Sequence, residues 1–143
     1  MGKKTVKILV SVFTLNFLWE ISQAFLYVPH FSGAADFIAV HLRASLGDLV
    51  LTALILLADS FLIGRIFSGK HSDWRRSGAV VLVGALVGIT VEKYALASGR
   101  WQYGELMPVI PILRVGLTPI LQMALIPLLA MYLNSWPRSR KSH

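Results

Sequence analysis

The chain has 143 residues, of which 55% are hydrophobic and 15% charged, and its mean hydropathy is +0.64. Soluble domains are about a quarter charged, so the composition predicts one integral membrane domain over residues 1–143. Cysteine is absent, which excludes a disulfide, a thiolate metal site and a cysteine nucleophile. The net charge of +7 does not indicate nucleic-acid binding, because the basic residues stand at the ends of apolar segments.

Four apolar stretches approach the roughly 20 residues that a helix needs to cross the hydrocarbon core of a bilayer. They cover residues 8–27, 46–64, 78–98 and 111–133, and a basic tail follows over 134–143. Short connections favour antiparallel neighbours, so the predicted fold class is all-α, a four-transmembrane-helix antiparallel bundle. Pro111, Pro119 and Pro127 recur along the fourth span, which predicts a proline-kinked helix packed against its neighbours.

The distribution of basic residues predicts the orientation of the bundle. Ten of the fourteen Lys and Arg residues precede the first span, fill the second connection or follow the fourth span. Arg43, Lys93, Arg100 and Arg114 fall on the other side. Because cytoplasmic loops carry an excess of Lys and Arg, both termini are expected in the cytoplasm.

Two boundaries stay open at this point. Three lysines, an apolar stretch and Ser22-Gln23-Ala24 imitate a cleavable signal peptide, although the apolar run continues beyond Ala24. Residues 36–45, with Asp36 as a candidate N-cap, either form an interfacial lead-in to the second span or extend its helix. In the third span, the spacing of Gly84 and Gly88 permits close contact with another helix.

Polar residues form one stripe along each predicted helix. The stripes are, in chain order, Asn16, Glu20, Gln23 and Tyr27; His41, Asp48, Thr52 and Asp59; Glu92, beside Ala85 and Gly88; and Thr118 with Gln122. At 100° per residue the first set falls within about 60° and the second within about 40°. A carboxylate in lipid is costly without partners, so we expect all four stripes to face the interior of the bundle.

The predicted orientation brings three carboxyl groups into the outer half of the bundle. Glu20, Asp48 and Glu92 are the candidate catalytic residues. The candidate ligand-binding residues around them are Asn16, Trp19, Gln23, Tyr27, His41, Trp101, Tyr103 and Gln122. Asp59 alone lies toward the cytoplasmic side, where Arg65 could reach it by extending its side chain.

Each of these residues also has a structural interpretation. Asp48 could cap a helix that restarts after Gly47, and Glu92 could form a surface ion pair with Lys93. Trp101 and Tyr103 could anchor the protein at the membrane interface. The stripe around Glu20 could serve only to hold helices together by hydrogen bonds.

Three segments resemble a family of small bacterial four-helix membrane proteins to which no activity is assigned. The segments are NFLWEISQAFLY, HLRASLGDL and GRWQYGELMPVIPILRVGLTPILQMALIPLL. The matching residues are Trp19, Glu20, Gln23, Tyr27, His41, Gly47, Asp48, Trp101, Tyr103, Met107, Pro108, Gly116, Pro119, Gln122 and Pro127. The resemblance implies a bacterial integral membrane protein. The chain is more loosely similar to the small subunits of heterodimeric carotenoid cyclases, whose Pro-Glu-Glu segment is absent here.

The sequence leaves three functions open. The first is an enzyme or binding protein for a lipid or isoprenoid, with Glu20 as acid and Asp48 or Glu92 as base. Trp19, Trp101 and Tyr103 would then stabilise a developing cation. The second is a small proton-coupled carrier, and the third is a non-catalytic assembly protein.

Other site chemistry finds less support in the sequence. No nucleophilic triad motif and no phosphate-binding glycine loop is present, and no cofactor is expected. Glu20, His41, Asp48 and Glu92 are ligand types that a metal accepts, but their spacing carries no metal-site signature, so no metal is expected either. The expected partners are membrane lipids, with a homo-oligomer left open and no nucleic acid.

Overall fold

The computed structural model of the chain describes residues 3–29, 31–66 and 73–135. Within these ranges the chain is mostly helical, at 79%, and the predicted all-α class is confirmed. The four long helices, numbered here in chain order, are Lys3–Gln23, Ala34–Ala58, Asp73–Ala97 and Leu117–Ser135. A 3-10 turn, Ala24–Leu26, follows the first helix. The second continues through a π-helical turn, Asp59–Ile63, into Gly64–Ile66. Lys70 and the predicted basic tail from residue 136 onward lie outside the described residues.

Three helices among the described residues are long and apolar enough to cross a membrane. They are Thr5–Leu26, Ala34–Ile66 and Trp74–Ala97, and the fourth helix adds a shorter apolar stretch, Leu117–Leu133. Their outward faces carry large hydrophobic side chains, such as Leu18, which is 60% exposed, and Leu54, which is 56% exposed. A surface helix of a water-soluble protein is polar on its outer face, so this surface is the one expected of a membrane protein.

The second helix begins at Ala34 and not near residue 46, where the predicted span starts. Residues 36–45 therefore extend the helix. The N-cap is Gly33, whose φ of 132° suits glycine, and not the predicted Asp36. Asp36 lies in the first turn, where its Oδ2 accepts a hydrogen bond of 2.9 Å from the backbone N–H of Ser32.

The fourth helix begins at Leu117, later than the predicted residue 111. The segment before it forms a small antiparallel hairpin, Val109–Ile110 with Val115–Gly116. The backbone N–H of Leu117 donates to the carbonyl oxygen of Pro108 at 2.7 Å and closes the base of this hairpin. Hydropathy cannot separate a short apolar strand from the first turn of an apolar helix, which explains the error.

The fourth helix is central and packs against the other three. We call the end of the bundle formed by residues 24–34 and 97–117 the hairpin end, and the opposite end the terminal end. Two apolar clusters fill the half nearer the terminal end. One is built on Val12, Ile126 and Ala130, and the other on Ile55, Ile63 and Val80.

The third and fourth helices meet through a glycine and a proline. Pro127 lies inside the fourth helix and has no N–H, so the carbonyl oxygen of Met123 loses its helical partner. A Cβ added at Gly84 would overlap this same oxygen, and one at Gly88 would come within 3.1 Å of the Cα of Ile120. The predicted close contact at the two glycines is confirmed. The freed carbonyl lies against the glycine of the neighbouring helix, where a weak Cα–H···O contact can form.

A buried ion pair joins the second and third helices near the terminal end. Asp59 is 3% exposed, and its two carboxylate oxygens accept from Nε of Arg76 at 2.7 Å and from an η nitrogen at 2.5 Å. Sequence analysis expected Arg65 as the partner. The side chain of Asp59 is buried, and the third helix brings Arg76 directly against it.

We expect Gly84→Ala to destabilise the protein, because the added methyl group collides with the Met123 backbone. Overpacking of this kind costs about 1–3 kcal/mol. Gly47→Ala is the matched control, since a Cβ there meets nothing within 4 Å. Alanine at position 47 should stabilise the helix by up to about 1 kcal/mol. Unfolding of both variants in detergent, followed by circular dichroism, measures the difference, and equal stability would contradict the packing.

Candidate functional site

The side-chain amide of Gln122 is the centre of a buried polar network near the hairpin end. Gln122 is 2% exposed. Its Nε2 donates to Oδ1 of Asn16 at 3.1 Å and to Oδ2 of Asp48 at 2.8 Å. Its Oε1 accepts from Nε2 of Gln23 at 3.1 Å. One side chain of the fourth helix thus binds polar groups of both the first and the second helix.

Glu20 and Asp48 form a carboxyl pair next to this amide. Their carboxyl groups lie close enough to interact directly, and Nε2 of Gln23 donates to Oε1 of Glu20 at 3.0 Å. Two buried carboxylates in close contact repel each other, which favours retention of one proton by the pair.

The third carboxyl group, of Glu92, has its own donors. The hydroxyl group of Tyr103 donates to Oε2 of Glu92, and Nε1 of Trp101 lies 3.4 Å from the same oxygen. The backbone N–H of Gly116 donates to the Tyr103 oxygen at 2.7 Å, which leaves the phenolic proton directed at Glu92. Burial and the hydrogen bond to Glu92 raise the pKa of Tyr103 above its usual range, so the phenol stays a donor.

Backbone pairing across the hairpin end places the aromatic residues. Tyr27 and Tyr103 form an antiparallel bridge, flanked by bonds from Val28 N–H to the oxygen of Gln102 at 3.0 Å and from Gly104 N–H to the oxygen of Leu26 at 2.8 Å. The Tyr27 ring lies edge-on to Trp101, with centroids 6.3 Å apart. The loop between the third and fourth helices is thereby fastened to the end of the first helix.

One cavity of about 730 Å³ collects the predicted acids. Glu20, Asp48, Glu92 and Gln122 all line it, together with Gln23, Tyr27, His41 and Trp101. Its other walls are largely apolar, and its volume lies in the range of small-molecule sites. Residues of all four long helices line it, and it opens to the surface between the second and third helices, where Val50 and Tyr94 are exposed.

The cavity wall contains an unsatisfied acceptor. Gln23 is 4% exposed, and its Nε2 donates to both Glu20 and Gln122. Its Oε1 is buried and has no hydrogen-bond partner among the residues that the structure describes. A buried polar atom without a partner costs about 1–3 kcal/mol, so this oxygen indicates a position for a donor that the protein itself does not supply.

His41 lies on the same wall and is 4% exposed. Its Nδ1 lies 2.7 Å from the carbonyl oxygen of Phe37. A carbonyl oxygen only accepts, so Nδ1 carries the proton. The ring packs at 4.2 Å, centroid to centroid, on Phe37.

Three candidate ligand-binding residues do not line the cavity as the structure describes it. Asn16 is fully buried behind it, bound to Gln122 and to the carbonyl oxygen of Val12. Trp19 packs on the apolar cluster built on Val12, Ile126 and Ala130. Its large ring, on that face of the first helix, favours this contact. Tyr103 does not line the cavity, but it binds Glu92 and lies against the Tyr27 ring, and both of these residues line it.

The purely structural interpretations of Asp48 and Glu92 do not agree with the structure. The second helix runs through Gly47 and Asp48 without a break, so Asp48 does not cap a restarted helix. Glu92 is 3% exposed and bound to Tyr103 and Trp101, whereas its neighbour Lys93 is exposed. An interfacial ion pair with Lys93 therefore does not describe Glu92.

The cationic residues that line the cavity, and the residues of its open wall, were not predicted as site residues from the sequence. Arg43, Gly47, Tyr94 and Arg100 also line the cavity. Arg43 and Gly47 stand four residues apart, which places both on one face of the second helix, and this spacing was visible in the sequence. In residues 3–29, 31–66 and 73–135, no three His, Asp or Glu side chains are grouped closely enough to hold a metal ion.

The chain was compared with protein-family models, with curated proteins and with solved structures, and no match was found in any of the three.

We expect Gln122→Leu to destabilise the protein, because Asn16, Gln23 and Asp48 each lose a buried partner. Each such loss costs about 1–3 kcal/mol. Gln102→Leu is the matched control, since Gln102 is exposed at the same end of the bundle. Thermal unfolding in detergent compares the two. If both variants melt together, the network does not hold the helices.

Proposed function

We propose that this chain is a four-span protein of the bacterial inner membrane with both termini in the cytoplasm, a member of the small four-helix family that its sequence resembles. The hairpin end then faces outward. Three apolar helices and the positive-inside distribution of Lys and Arg support this orientation. The fourth span is short, but its central position surrounds it with protein.

The cavity, in this proposal, binds a lipid or isoprenoid, and Glu20 acts as the acid. The observation that carries the proposal is the close contact of the Glu20 and Asp48 carboxyl groups in a largely apolar cavity, which favours retention of one proton by the pair. A proton kept close to apolar walls can be donated to a carbon–carbon double bond or to a leaving oxygen. An exposed carboxylate would already have lost that proton to water.

The surrounding donors suit this chemistry. Donation from the pair leaves two adjacent carboxylates, and the amide groups of Gln23 and Gln122 then stabilise the negative charge. A cation developing on the ligand would meet the ring of Trp101, which lines the cavity, and the Glu92 carboxyl group. Asp48 or Glu92 can take the proton back.

Two other functions fit the structure less well. A carrier needs a path through the whole bundle, whereas apolar clusters and the Asp59–Arg76 pair fill the half nearer the terminal end. A purely structural polar clamp would satisfy its own groups, whereas Gln23 keeps an unpaired oxygen beside a large cavity. A ligand site confined to the half nearer the hairpin end, for a ligand that is largely apolar but carries a hydrogen-bond donor, accounts for both observations.

Glu20→Gln tests the acid. The amide can still donate to Asp48, so the fold is expected to persist while the transferable proton is lost. We expect activity to fall by at least about 100-fold, the usual contribution of a general acid. Lipid extracts of cells that express wild-type or variant protein, compared by mass spectrometry, give the readout. Glu105→Gln, an exposed acid at the same end, is the control. Unchanged lipid profiles with a folded Glu20→Gln protein would contradict the acid role.

The absence of cysteine allows a direct test of orientation. We expect a cysteine at Gln102 to react with a membrane-impermeant maleimide in intact spheroplasts. A cysteine at Ser142 should react only after the membrane is permeabilised. The cysteine-free wild type is the control for background labelling. The opposite labelling pattern would place both termini outside.

A further inference from the structure

Two arginines from separate elements flank the mouth of the cavity. Arg43 belongs to the second helix and Arg100 follows the third, and both are exposed and line the cavity. The guanidinium carbon of Arg100 lies 5.3 Å from the centroid of the Tyr94 ring, which also lines the cavity. Positive charge is therefore present on both sides of the gap between the second and third helices.

The acids of the cavity do not neutralise these arginines. Glu92 is bound to Tyr103 and Trp101, and Asp48 to Gln122 and Glu20. No ion pair joins Arg43 or Arg100 to a carboxylate among the described residues. A guanidinium offers five donors in a planar fork that fits a phosphate or carboxylate. The guanidinium groups of Arg43 and Arg100 therefore place hydrogen-bond donors at the mouth, and the described acids do not accept from them.

Below the mouth, the wall between the two helices is apolar and open. Val50 lines the cavity and is still 58% exposed, so the cavity reaches the outer surface of the bundle. A Cβ added at Gly47 would meet nothing within 4 Å, although Gly47 is part of the lining. Gly88 and Val91 face this space from the third helix. An apolar chain can lie along this wall and continue into the surrounding lipid.

Resting on the proposed function, we infer that the ligand is an amphipathic anion. Its phosphate or carboxylate head group binds between Arg43 and Arg100. Its apolar chain lies over Gly47 and Val50 in the gap between the helices. The part of the chain next to the head group is then the part nearest the carboxyl pair.

Binding of farnesyl phosphate and farnesol to the purified protein in non-ionic detergent, measured by equilibrium dialysis, tests the head-group site. The double variant Arg43→Gln/Arg100→Gln should bind farnesyl phosphate at least about tenfold more weakly, because charge-assisted hydrogen bonds are lost. Its affinity for farnesol should not change. Lys93→Gln, which removes an exposed cation that does not line the cavity, should leave both affinities unchanged.

Gly47→Leu tests the path of the chain. A leucine side chain enters the open space beside Gly47, so both farnesyl compounds should lose binding while the helix content and melting temperature stay at the wild-type level. Gly78→Leu is the matched control and should retain binding, because a Cβ at Gly78 also meets nothing within 4 Å but Gly78 does not line the cavity. Inorganic phosphate should compete with farnesyl phosphate only weakly, since it has no chain.

The outcomes separate the two proposals. Equal binding of farnesol and farnesyl phosphate, unchanged in the arginine variant but abolished by Gly47→Leu, would overturn the anionic head group and leave the apolar ligand site standing. Inorganic phosphate that competes as well as farnesyl phosphate would replace the lipid with a free anion. Failure of both farnesyl probes to bind would overturn the ligand site and the head group together.

Discussion

The bundle has an outer surface rich in leucine and valine. In its interior, the side-chain amide of Gln122 binds Asn16, Gln23 and Asp48. Hydrogen bonds of this kind are directional, and each joins groups on different helices, so they set how the fourth helix is rotated against the first and second. The same bonds hold Asp48 against Glu20 and keep the carboxyl pair at one depth. The position of the cavity follows, because Glu20, Asp48 and Gln122 all line it.

Glycine has two opposite uses in this bundle. At Gly84 the backbone of the neighbouring helix occupies the place of a side chain, and the two helices come together as closely as the backbone allows. At Gly47 the same place is empty and becomes part of the cavity. The tight crossing holds the third helix beside the fourth, and the open site keeps the space in front of the second helix free for a chain.

Helical periodicity was sufficient to predict that Glu20, Asp48, Glu92 and Gln122 point inward, since 100° per residue fixes which side chains share a face. It could not predict which neighbour each would meet. Trp19, on the first helix with Glu20, packs on Val12, because rotation and tilt are set by contacts with the other helices. The Asp59–Arg76 pair and the hairpin before Leu117 depend on the same tertiary contacts. The two arginines were read only as charges that set orientation, although their proximity to the acids in sequence was visible.

The meeting of Gly84 with the carbonyl oxygen of Met123 couples two positions that lie far apart in the chain. Proline at position 127 releases that carbonyl from its own helix, and glycine at position 84 gives it a surface to approach. Leucine at position 127 would return the oxygen to its helical hydrogen bond, but the carbonyl carbon of Met123 and the Cα of Ala124 would still lie within 3.0 Å of a Cβ at position 84. The backbone of the fourth helix as a whole, and not the released oxygen alone, therefore restricts position 84 to glycine.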